Sequence, residues 1–180
     1  MRRVGFVVEG KSLEVLFQES LCPWLRQRGI AVKVVNAGGR SLLIRDASRH
    51  LDVLRRSGFE RIFFVLDQET DPCPPATAKR LDSVRSEPDV VICVAARMLE
   101  AWLLADNEAI QRATGLPGWS GLTDSLPDPV SELKDLFFQK YGHWYTKMEM
   151  ARRVGRYFQL ERAADRNRSA ARFWRKLNEL

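Results

Sequence analysis

The sequence predicts an open α/β fold: a mostly parallel four-stranded sheet with helices on both faces, followed by a C-terminal helical extension. Three observations carry this reading. Short apolar runs alternate with segments of helical period through the first 115 residues, which implies right-handed crossovers and a parallel sheet. Strands such as Ile62 to Leu66 are continuously apolar, as expected when both faces are covered. Past a stretch rich in Gly, Pro, Ser and Asp from Gly115 to Pro129, only helical patterns follow. The expected division is an α/β domain over residues 1–115 and a helical extension over 116–180 packed on it.

The elements follow in order. Val4 to Val8 is a buried strand that ends in Glu9-Gly10-Lys11-Ser12. Ser12 to Arg28 places Leu13, Leu16, Phe17, Leu21, Trp24 and Leu25 at helical spacing, and Gly29 stops it. Pro23 lies inside that helix and predicts a kink or break there. Ile30 to Val35 is the second strand, followed by Asn36-Ala37-Gly38-Gly39 and a helix from Ser41 to Arg56. The third strand, Arg61 to Leu66, ends in Asp67-Gln68-Glu69-Thr70-Asp71. Three prolines make Asp71 to Pro75 a rigid loop. A helix from Ala76 to Ser86, the fourth strand from Asp89 to Ala95, and a helix from Met98 to Thr114 complete the sheet region. In that last helix Leu99, Trp102, Leu103 and Ile110 share a face. The tail carries helical patterns over Pro129 to Tyr141, Lys147 to Phe158 and Ser169 to Leu177.

Composition narrows the function classes. The chain has 180 residues, 45% hydrophobic and 29% charged, which argues for a folded globular protein rather than disorder. No apolar run approaches the roughly 18 residues of a membrane span. The basic start Met1-Arg2-Arg3 is followed by Glu9, Lys11 and Glu14, which interrupt any signal-peptide core. A cytoplasmic protein with no membrane partner is expected. Cys22, Cys73 and Cys93 form no C-x-x-C pair, and His50 and His143 are the only histidines. Zinc chemistry is therefore disfavoured and carboxylates remain as metal ligands. The net charge is +6. From Lys140 onward eleven basic residues face four acidic ones, a local excess of +7 that accounts for all of it. Such a concentration suits phosphate-rich partners or a solvated helical face.

Candidate site residues cluster at strand ends. Ligands bind outside the carboxyl ends of strands in open α/β sheets. There the chain places Glu9, then Gly38 and Gly39, then Asp67, Glu69 and Asp71, then Glu100 just inside the next helix. Carboxylates held close together repel unless a cation or proton sits between them. Mg²⁺ or Mn²⁺ meets that need, and a carboxylate outside its coordination shell can serve as acid or base. Each residue also has a plainer reading. Asp67, Glu69 and Asp71 suit helix caps and turns. Gly38 and Gly39 suit a tight turn or a close approach of phosphate to backbone N–H groups. Glu100 suits a first-turn helix acid. Lys11 lacks the glycine pattern of a phosphate-binding loop.

These residues resemble the Toprim group, the metal-binding domain of topoisomerases, bacterial primases and overcoming-lysogenization-defect (OLD) nucleases. The signature is a strand ending in Glu-Gly and a later strand ending in Asp-x-Asp, here Glu9-Gly10 and Asp67-Gln68-Glu69. A Toprim/Rossmann-like sheet is implied, with Glu9 as general acid/base and Asp67 and Glu69 holding the metal. Glu69 departs from the usual shorter Asp. A closer resemblance is to an uncharacterised Toprim-like bacterial family. It rests on Val8 to Ser12, Gly38 to Ser41, Leu66 to Gln68, Asp71 to Cys73, Met98 to Asp106, Tyr145 to Lys147 and Ser169 to Phe173. It implies Asp71 and Glu100 as further ligands. Lys11, Glu14 and Lys147 would be supporting or phosphate-binding groups. Lys147 is equally compatible with a salt bridge or cap. The resemblance further implies a nuclease acting on foreign nucleic acid beside a partner ATPase. A site without turnover in a nucleic-acid-binding or regulatory partner is the alternative, and a purely structural partner the third.

Overall fold

In a computed structural model that describes residues 2–180, four strands form one all-parallel sheet in the order β2-β1-β3-β4. They are β1 (Arg3–Val8), β2 (Ala31–Asn36), β3 (Arg61–Asp67) and β4 (Val90–Ala95). The period of two in each strand divides the side chains between two faces. Val4, Phe6, Val8, Phe63, Val65, Val91, Cys93 and Ala95 enter one apolar core. Val7, Ile62, Phe64, Leu66 and Val94 enter the other. This is why β1, β3 and β4 read as apolar runs, whereas β2, at the other edge of the sheet, is only partly buried and carries the exposed Lys33.

The first core lies under α1 (Lys11–Leu16) and α2 (Cys22–Gln27), with the helices that follow β4. The second lies under α3 (Arg40–Arg45), α4 (Ala47–Arg56), α5 (Pro74–Lys79) and α6 (Asp82–Arg85). At Gly5, a Cβ would come within 2.9 Å of Leu54 Cδ1, so any larger residue there would require the Leu54 side chain of α4 to shift.

Several predicted helices are subdivided, each for a local reason. Between α1 and α2 the chain makes a π-turn over Phe17–Leu21 instead of a break at Pro23. Pro23 has no N–H for the carbonyl four residues back, and the widened turn accommodates its ring. The helix expected over 41–56 divides at Asp46, and the one over 76–86 divides at Arg80 and Leu81. Pro74 and Pro75 are not loop residues. They open α5, where a missing N–H costs nothing.

The helix expected over 98–114 becomes α7 (Leu99–Ala105) and α8 (Asn107–Thr114). The break is Asp106, a fully buried carboxylate. It accepts the Ala109 N–H at 3.1 Å, capping α8, and the Gln159 N–H at 2.8 Å. Arg162 closes a two-pronged ion pair on it at 2.8 and 2.9 Å.

A single 3₁₀ turn, Thr123–Ser125, interrupts the connector before α9 (Pro129–Tyr141), α10 (Lys147–Gly155), α11 (Leu160–Ala164) and α12 (Arg168–Asn178). Helix α11 was not foreseen. Residues 116–180 contribute to the core on one face of the sheet. Phe137, Met150 and Val154 join the first core. So does Phe173 of α12, which stands 5.3 Å from the Trp102 ring and 5.7 Å from that of Phe17. Part of the basic tail is consumed inside the fold: Arg162 on Asp106, Arg166 on the Gly121 carbonyl, and Arg153 over the rings of Tyr141 and Tyr145. Among the described residues no helix is long and apolar enough to cross a membrane.

Candidate metal centre at the sheet switch point

The strand order reverses between β1 and β3, because β1 leads outward to β2 on one side while β3 and β4 extend the other. A crevice opens at such a reversal. Glu9 and Asp67, the residues that follow Val8 and Leu66, stand on its two sides. With Gly10, Lys11, Glu69, Met98, Glu100 and Lys147 they line a pocket of about 160 Å³.

Backbone pairing holds the two carboxylates in register. The Glu9 N–H donates to the Val65 carbonyl at 3.1 Å, and the Asp67 N–H donates to Glu9 Oε2 at 3.1 Å. Asp67 Oδ1 in turn accepts the Leu99 N–H at 2.9 Å and so caps α7 from across the sheet. Gly39, with φ of 132° that a side chain would strain, donates its N–H to the Glu9 carbonyl at 2.7 Å. The Gly38 N–H is taken by Asn36 Oδ1 at 2.8 Å. Both glycine amides are thus engaged by the protein itself.

The loop after β3 is tied to the loop after β4. Gln68 N–H reaches the Ala95 carbonyl and Glu69 N–H the Arg97 carbonyl, each at 2.9 Å. Glu69 and Arg97 both adopt left-handed backbones, with φ of 52° and 64°. For a residue with a Cβ this costs on the order of 1 kcal/mol. Two such residues facing each other beside a pocket mark a conformation held for its geometry.

Asp71, expected among the metal ligands, does not line the pocket. Its buried carboxylate is taken up by Arg80, with contacts of 2.6 to 3.1 Å, and by Arg40. The Arg80 guanidinium holds its pKa down at about 2. Arg40, which sequence reasoning did not single out, also donates to the Asp67 carbonyl at 2.6 Å and lies 3.6 Å from Glu69. It clamps the β3 loop from the far side. Its signal was its place directly after the glycine pair. Glu14 stands outside the pocket, held by Lys11 at 2.9 Å and Asn36 at 3.0 Å, and both lower its pKa.

Glu100 is 2% exposed, and its Oε2 has no hydrogen-bond partner. Its Oε1 lies 3.4 Å from Lys147 Nζ. Ser169, noted only within a tail motif, receives the Ala96 N–H at 3.0 Å and the Trp102 Nε1–H at 2.8 Å. It thereby pins the end of β4 and α7 to α12.

Burial pushes the Asp67 carboxyl well above the usual carboxylate range, and the charges of Glu100 and Glu9 push it further. Burial likewise raises Glu9, with Glu69 adding to it while the Asp67 N–H and Arg40 oppose. No three His, Cys, Asp or Glu side chains among the described residues are arranged as a ready ligand set. The donor chemistry nevertheless fits a hard cation: oxygen atoms only, mutually repelling, one of them buried without a partner.

A pH dependence follows for the metal-free protein. Glu9 and Asp67 bind protons more tightly folded than unfolded, so their contribution to stability is full below about pH 4 and is lost as pH rises towards their raised values. Asp71 acts oppositely, losing its contribution as pH falls towards about 2. Asp67→Asn keeps the oxygen that caps α7 and removes the charge. In chelator, the drop in melting temperature as pH rises above about 4 is expected to be larger for the native chain than for Asp67→Asn. Parallel curves for the two proteins would contradict the assignment.

Fold and site together define a parallel α/β protein with a carboxylate pocket at its switch point. The chain belongs to the family described as a domain of unknown function (DUF4276), whose model matches residues 8–178. No curated protein matches it. Among solved structures, the C-terminal region of the Burkholderia pseudomallei OLD protein is similar at a TM-score of 0.47 and 14% identity, over 98% of each chain.

Proposed function

We propose that the chain is a divalent-metal-dependent phosphoryl-transfer protein, a nuclease acting on nucleic acid. One observation carries the reading: Glu9, Asp67 and Glu100 are gathered at the switch point with too little positive charge to neutralise them. Asp67, Glu69 and Glu100 would hold Mg²⁺ or Mn²⁺. Bound there, the ion supplies Lewis-acid polarisation of a phosphoryl oxygen.

The chain's own groups do the rest. Glu9 moves the proton, and its raised pKa lies nearer to neutrality than that of a free glutamate. Lys147, 43% exposed, can turn its ammonium from Glu100 to a phosphate oxygen. Lys11 lines the same pocket from the β1 side. Arg40 holds the β3 loop, with Asp71 fixing the guanidinium rather than touching substrate.

The expected result is cleavage of at least one of single-stranded or double-stranded DNA or RNA with Mg²⁺ or Mn²⁺, and none after chelation. No cleavage of any of these, with or without a partner ATPase, would overturn the reading, as would cleavage that survives chelation. A second reading rests on Glu69, which leans 3.6 Å from Arg40, and on the lack of a preset ligand trio. This is a nucleic-acid-binding partner of an ATPase without turnover, whose affinity falls steeply with salt.

A further inference from the structure

We propose that the free edge of the sheet accepts an extended acidic segment of another polypeptide as an added strand. β4 is an outer strand. The Ile62 N–H donates to the Asp89 carbonyl and the Gln68 N–H to the Ala95 carbonyl, so the odd-numbered residues of β4 turn their peptide groups towards β3. The even-numbered Ile92 and Val94 turn N–H and C=O outward, without partners among the described residues. The open stretch is closed at both ends. Val90 N–H is spent on the Glu87 carbonyl at 3.1 Å, and Ala96 N–H on Ser169 Oγ at 3.0 Å.

These groups floor an open groove of about 760 Å³ between α5 and α6 on one side and α12 on the other. Arg61, Lys79, Arg85, Arg168, Arg172 and Lys176 line it with one carboxylate, Asp124. Arg85 is paired with Asp82 at 3.2 Å and Lys176 with Glu179 at 2.8 Å, which leaves Arg61, Lys79, Arg168 and Arg172 without a carboxylate partner among the described residues. Arg168, Arg172 and Lys176 recur every four residues on α12 and form one stripe, about 6 Å apart along the helix. Alternate side chains of an extended peptide lie at nearly the same spacing, about 6.7 Å. Acidic residues at alternate positions would therefore meet successive cations.

The floor decides between peptide and nucleic acid. A phosphodiester backbone offers acceptors only, and would leave the outward carbonyls of Val90, Ile92 and Val94 unpaired. A peptide strand supplies both donors and acceptors at strand spacing. A second copy is disfavoured because it would bring the same row of cations against this one.

The test uses the full chain and a fluorescein-labelled octapeptide alternating Glu and Val, followed by anisotropy. Saturable binding is expected, weakened at least tenfold by Arg168→Glu with Arg172→Glu, whose side chains are exposed and whose loss leaves the core intact. Methylating alternate backbone nitrogens of the peptide is expected to weaken binding at least tenfold as well. Amide exchange at Ile92 and Val94 should slow only with the unmethylated peptide. Absent binding, or equal binding of both peptides, overturns the proposal. So does binding of oligothymidylate that depends on Arg168 and Arg172 when the peptide fails to bind. Self-association lost in the same double variant would assign the edge to a second copy and overturn it too.

Discussion

Glu9→Gln is expected to lower metal-dependent cleavage about 10²–10⁴-fold, the range over which a positioned acid or base contributes, while the fold persists. The amide is nearly isosteric. Its oxygen can still accept the Asp67 N–H that Glu9 Oε2 receives at 3.1 Å, so the tie between β1 and β3 survives. What the variant cannot do is exchange a proton. It also removes one of the charges that raise Asp67, so metal-free Glu9→Gln should be at least as stable as the native chain at neutral pH. The combination is diagnostic: lost turnover, retained Mn²⁺ binding by calorimetry, and an undiminished melting temperature. Full activity in Glu9→Gln would remove Glu9 from the chemistry. Lost Mn²⁺ binding would instead make it a ligand.

Phe173→Ala is expected to cost about 3–5 kcal/mol of folding stability, the range for truncating a buried aromatic side chain. Phe173 is 1% exposed and stands among Phe6, Phe17, Phe63 and Trp102, with ring centroids 5.3 to 6.4 Å away. No neighbour is free to fill the space, because these rings come from β1, the π-turn, β3 and α7, each anchored separately. The effect should extend to the site. The helix that carries Phe173 also carries Ser169, which holds the Ala96 N–H and the Trp102 ring on either side of Glu100. Denaturant titration measures the loss, and a change below about 1 kcal/mol would place α12 outside the cooperative core.

β1, β3 and β4 were legible because strands covered on both faces need apolar side chains at nearly every position, a local pattern. β2, interrupted by the exposed Lys33, was legible from its remaining β-branched residues between Gly29 and Gly38. The two carboxylates of the candidate pocket were legible for a related reason. Glu9 and Asp67 each follow such a run directly, so finding the strand ends found the carboxylates. Lys147 and Glu100, far apart in sequence, were also named, and the fold brings them to 3.4 Å. Asp71 could not be separated from its neighbours by sequence, because nothing local reveals that Arg40 and Arg80 converge on it. The same holds for Asp106. Within the pattern from Met98 to Thr114 it reads as one polar residue of a helix, whereas its carboxylate ends that helix by binding Arg162, more than fifty residues on.

What the sequence by itself determined is the periodicity of each element and the chemical kind of group delivered at each strand end. Both depend on residues adjacent in the chain. Only the tertiary structure decided which charges are neutralised and which are left exposed to one another. Asp71 is quenched by two guanidinium groups, while the half-buried Asp67 lies near Glu9 and Glu100, its pKa raised by desolvation and by their charges. Electrostatic energies depend on distance and burial, and both are set by packing between segments distant in sequence.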